Sequence, residues 1–108
     1  GKALILAPTR ELGLQIEEVI KPLAKKLGLG LPVVLIGGVS YVHQFRQLAA
    51  PHRILIATPG RLIDHLEQKK VSLSDVKTLV LDEADRMLDV GFRPQLDEIL
   101  KGLPPVRQ

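Results

Sequence analysis

The sequence predicts an α/β fold, a three-layer α/β/α sandwich around a four-stranded parallel sheet. Four short runs, Ala3 to Ala7, Val33 to Ile36, Ile54 to Ala57 and Thr78 to Leu81, are apolar with no charge inside them. Strands wetted on one face would alternate, so such runs read as strands covered on both faces by helices. Each interval between them is long enough for one crossover helix and carries apolar residues at helical spacing. With 108 residues, 45% of them hydrophobic, the chain is read as one domain over residues 1–108.

After the first strand, Leu12, Ile16, Val19, Ile20, Leu23 and Leu27 recur at threes and fours, which predicts a helix from Arg10 to Leu27 ending at Gly28. Pro22 falls inside it and is expected to kink or split it. Ser40 is placed to cap a second helix with Val42, Phe45, Leu48 and Ala49 inward, stopped by Pro51. A third helix starts at Thr58-Pro59 with Leu62, Ile63 and Leu66 inward. A short helical stretch from Ala84 to Leu88 follows the fourth strand, and a last helix begins at Pro94 with Leu96, Ile99 and Leu100. Right-handed crossovers make this βαβαβαβα order a sandwich.

Ligands of such sheets bind outside the carboxyl ends of the strands. Four segments stand there: Pro8-Thr9-Arg10-Glu11, Gly37-Gly38, Thr58-Pro59-Gly60-Arg61 and Asp82-Glu83-Ala84-Asp85. In the third, Thr58 can cap a helix, Pro59 suits its first position, and Gly60 lets another backbone come close. Exposed N–H groups and the helix dipole favour a phosphate there, with Arg61 as a charged partner; the same tetrapeptide also reads as nothing more than a well-capped helix. Gly37-Gly38 reads as a turn as readily as a phosphate cradle. Three carboxylates within four residues at a strand end repel one another, which suits a cation or a proton transfer: Asp82 to hold Mg²⁺, Glu83 to orient or deprotonate a water. The alternative is that these acids complement the N-terminus of the following helix.

Composition narrows the classes. No cysteine is present and His43, His52 and His65 are dispersed, which argues against disulfides and a zinc site. No apolar run approaches the ~20 residues of a membrane span, and the reading is a soluble, intracellular protein, cytoplasmic or nuclear. Only 3% of residues are aromatic, so any nucleic acid is expected to be held by its backbone rather than by stacked bases. The formal charge of +3 nominates no partner by itself.

Taken together, APTREL (Ala7 to Leu12), Gly37-Gly38, ATPGRL (Ala57 to Leu62) and VLDEADRMLDVGF (Val80 to Phe92) resemble, in order and spacing, the motifs of the DEAD-box family of ATP-dependent RNA helicases. The resemblance covers almost the whole chain and implies a part of the first RecA-like domain, with ATP and Mg²⁺ as cofactors and RNA as substrate. It implies RNA-backbone contacts for Pro8, Thr9, Arg10, Glu11, Gly37, Gly38, Thr58, Pro59, Gly60 and Arg61. It likewise implies Mg²⁺ binding for Asp82, activation of the attacking water by Glu83, and coupling of the nucleotide and RNA sites through Asp85. Gly13 stands where the family usually has alanine.

The family's phosphate-binding loop, G-x-x-x-x-G-K-[ST], and its Ser-Ala-Thr strand do not occur within these residues. The expectation is therefore a truncated helicase domain that binds Mg-nucleotide no better than about millimolar, hydrolyses none, and binds RNA weakly. Thr78 to Leu81 is expected to form an open edge prone to self-association. The rival reading is a noncatalytic α/β half-domain scaffold, excised or engineered, with no activity of its own.

Overall fold

Alternation along three strands sends apolar side chains to both sides of one sheet. From β1 (Lys2–Leu6), β2 (Val33–Leu35) and β3 (Ile54–Ala57), Leu4, Leu6, Val33, Leu35, Leu55 and Ala57 enter one core cluster. Their neighbours Ile5, Val34, Ile54 and Ile56 belong to a second cluster, with Ile36 just beyond β2. The fully apolar runs are thus strands with two dry faces. In the computed structural model, which describes residues 2–50, 52–69, 71–81 and 93–102, all strands pair in parallel in the order β2-β3-β1-β4, with β4 at Val76–Leu81.

The path leaves β1, crosses β3 to reach β2, then returns through β3 to β4. Opposite directions of travel with same-handed crossovers put helices on opposite faces. α1 (Arg10–Lys26) lies on the second cluster through Ile16 and Ile20. α2 (Tyr41–Ala49), α3 (Pro59–Glu67) and α4 (Arg93–Lys101) cover the first through Leu48, Leu62, Ile63, Leu66 and Ile99. The predicted three-layer parallel α/β architecture is the one observed.

Four expectations need correction. α1 is not split at Pro22 but continues through it as one helix, the ring exposed on the solvent side where the unpaired carbonyl can meet water. Its inward face is Gly13, Ile16, Ile20 and Ala24, while Val19, Leu23 and Leu27 of the expected stripe are exposed, because the small residues let the helix sit close to the sheet. On α2 the buried side chain is the polar Gln44, and Val42 and Ala49 face outward. β4 is buried at Val76 but exposed at Val80 and Leu81, since among the described strands it pairs with β1 alone. The expected short helix from Ala84 to Leu88 lies outside the described residues.

Candidate functional site

β2, β3 and β1 are adjacent, so the three segments that follow them share one rim. The ladder continues into that rim: Ala7 N–H donates to Ala57 O at 2.9 Å and Thr58 N–H to Leu35 O at 3.1 Å. Pro8 and Pro59 are buried; Arg10, Glu11, Gly37 and Gly38 are exposed; Thr9, Thr58, Gly60 and Arg61 are half-buried.

Thr9 is the N-cap of α1, its Oγ1 accepting the Leu12 N–H at 3.2 Å. This directs Arg10 across the rim toward Gly38. Gly38 has φ +85°, a left-handed conformation suited to glycine, and a Cβ there would stand 2.6 Å from Arg10 Nη1. Arg10 makes no hydrogen bond or ion pair with a described residue, so its guanidinium is available at the surface. Gly37 needs no such freedom: its φ is not positive and a Cβ would meet open space.

α3 opens with Pro59 at its first turn, as expected, but the Thr58 hydroxyl makes no capping bond. Because the Thr58 side chain makes no capping bond, the first-turn amides of Gly60 and Arg61 receive no acceptor from it, and Pro59 itself has no N–H to satisfy. Among the described residues no backbone approaches Gly60; a Cβ there would meet only Gln95 Nε2, at an ordinary 3.6 Å. Arg61 turns back into the protein. Its Nε donates to Ile36 O and its Nη2 to Val39 O, each at 3.2 Å, and its guanidinium lies 4.1 Å from the Tyr41 ring centroid. Three of its five N–H groups remain for a ligand. Asp82, Glu83, Ala84 and Asp85 lie outside the described residues.

Sequence reading missed the polar pair behind this rim. His65 and Gln44 are fully buried, His65 Nε2 pairs with Gln44 Oε1 at 2.6 Å, and Gln44 Nε2 donates to Ile36 O at 2.9 Å. The only available signal was a polar residue at helical spacing within each apolar stripe, Gln44 four before Leu48 and His65 three after Leu62. Burial, helped by the nearby Arg61 charge and opposed by Asp64, holds the His65 imidazole below its ordinary pKa, so it is neutral.

The DEAD/DEAH box helicase family model matches residues 1–108. The chain belongs to that family. It is 50% identical over 105 residues to the ATP-dependent rRNA helicase RRP3 of Debaryomyces hansenii, covering 96% of this chain and 22% of the relative. Over 100 residues it is 52% identical to the DEAD-box ATP-dependent RNA helicase 52A of Oryza sativa subsp. japonica, covering 93% and 16%. Its fold matches the crystal structure of the yeast DEAD-box splicing factor Prp28 with a TM-score of 0.85 at 44% identity, covering 93% of this chain and 23% of that one. The chain thus spans about a fifth of the length of these DEAD-box relatives.

Proposed function

We propose that this chain is the RNA-backbone-gripping part of an ATP-dependent RNA helicase, with Pro8 to Glu11, Gly37-Gly38 and Thr58 to Arg61 forming one phosphate-contacting rim. The observation that carries this reading is the exposed Arg10 guanidinium against Gly38, on the same rim as the uncapped amides of α3. Cationic side chains and helix N-terminal amides are the groups that hold phosphates. The lack of crowding at Gly60 supports it too, because no contact with the described residues requires a glycine there. Thr9 serves the rim as a cap and Glu11 favours the same helix terminus by its charge.

The family likeness assigns Mg-nucleotide chemistry to Asp82, Glu83 and Asp85, with Asp82 on the metal and Glu83 on the attacking water. ATP turnover then belongs to the whole helicase, and the 108-residue chain alone binds nucleotide at about millimolar or weaker and is silent. An intracellular location, cytoplasmic or nuclear, goes with an RNA substrate.

Fluorescence anisotropy of labelled single-stranded RNA with the full-length protein tests the reading. Arg10→Ala is expected to weaken binding of all sequences alike and to lower the salt slope by about one. Unchanged affinity and slope would remove Arg10 from the interface.

A further inference from the structure

The Gly37-Gly38 loop is fastened from beneath by side chains of two helices. Ile36 O, the last carbonyl before the loop, accepts both from Gln44 Nε2 at 2.9 Å and from Arg61 Nε at 3.2 Å, which uses both of its lone pairs. Val39 O, just after the loop, accepts from Arg61 Nη2. The backbone on either side of the two glycines is therefore held by α2 and α3 rather than by the sheet ladder alone.

Gln44 can serve Ile36 O only with its amide turned one way, and His65 sets that turn. Because Gln44 Nε2 faces a carbonyl, Oε1 must face His65 Nε2, which must then carry the proton. The imidazole is itself walled by Tyr41 and Phe45, with ring centroids at 5.4 Å in both cases, and its Nδ1 has no hydrogen-bond partner among the described residues. An apolar pair would fill this space without an unpartnered buried nitrogen, so packing alone does not account for the two polar residues.

We propose that Gln44 and His65 are positioning residues for RNA binding, a side-chain relay from α3 through α2 to Ile36 that holds the Gly37-Gly38 loop in its RNA-contacting geometry. The proposal rests on the reading of the rim as an RNA interface, but its structural half is measurable without RNA. His65→Leu removes the donor to Gln44, whereas His65→Gln places an amide N–H near the position of Nε2.

RNA-stimulated ATPase assays of the full-length protein provide the functional test. With His65→Leu, the KM for RNA is expected to rise roughly tenfold, the equivalent of one buried hydrogen bond. The KM for ATP and kcat at saturating RNA should stay within about twofold, and His65→Gln should recover most of the loss. Gln44→Glu, which keeps the acceptor for His65 but removes the donor to Ile36 O, should reproduce the rise in RNA KM if His65→Leu does not fold. Equal defects in His65→Leu and His65→Gln, or parallel loss of ATP and RNA parameters, would overturn the proposal.

Backbone amide NMR of Gly37 and Gly38 without RNA separates the two readings. Their signals are expected to move in His65→Leu and to return in His65→Gln. Amides that do not respond would overturn the positioning role, whereas responsive amides in a protein that binds no RNA would refute the RNA reading and leave the relay standing.

Discussion

Arg10 and Gly38 interlock: the guanidinium of the first residue of α1 occupies the space that a side chain at Gly38 would need, 2.6 Å from where its Cβ would stand. Two segments more than twenty residues apart in sequence are thereby brought to one surface by the adjacency of β1, β3 and β2.

This contact makes the two neighbouring glycines unequal. Gly38→Ala must adopt φ near +85° and displace Arg10, which is expected to cost about 1–2 kcal/mol and to weaken RNA binding. Gly37→Ala meets open space and should leave stability within about 0.5 kcal/mol. Thermal melts of the two variants check the difference, and equal losses would contradict the geometry.

The three helix caps separate in the same way. Thr9→Ala and Ser40→Ala each remove a hydrogen bond to a first-turn amide and should cost about 1 kcal/mol. Thr58→Ala removes no such bond, so its effect on stability should be smaller than either. Chemical denaturation of the three variants gives the ranking directly.

His65 gives stability a pH dependence of known sign. Its imidazole is neutral when folded and has a pKa below the ordinary 6.5, so the unfolded chain binds the extra proton first. Above about pH 6.5 the group contributes no difference between the states. As pH falls below that value stability declines by at most about 1.4 kcal/mol per pH unit, until the folded pKa is reached. His65→Gln should flatten the denaturation midpoint between about pH 6.5 and 5, above the main carboxylate range. An unchanged profile would show that another group is responsible.

The edge of the sheet predicts association of the isolated 108-residue chain. β4 pairs with β1 alone among the described strands, and Val80 and Leu81 are 45% and 38% exposed. Unpaired strand edges with apolar side chains recruit further strands. Light scattering should show mass rising with concentration, and Val80→Lys should reduce it. A clean monomer across a wide concentration range would contradict this.

The strands were legible because short runs without charge such as Ile54 to Ala57 suit a sheet covered on both faces, and β3 has those same bounds. The caps at Thr58 and Ser40 were legible in position, but whether a hydroxyl reaches an amide depends on its rotamer, and only Ser40 does so. The inward face of α1 is not legible from hydrophobicity because closeness decides it: Gly13 faces the sheet, with Ile36 Cγ2 3.2 Å from where its Cβ would be. Gln44 and His65 escaped for a related reason, since twenty-one residues separate them and their partnership exists only once α2 and α3 pack side by side.

The three strand-end segments are proposed to form one RNA-contacting surface. Amide NMR of the isotopically labelled full-length protein, titrated with a short single-stranded RNA, tests it most directly. Perturbations are expected at Thr9 to Glu11, Gly37-Gly38 and Gly60-Arg61, saturating together at one RNA concentration. A contrary result is that these amides stay fixed while the opposite ends of the strands respond, around Gly30, His52 and Arg53, which line a cavity.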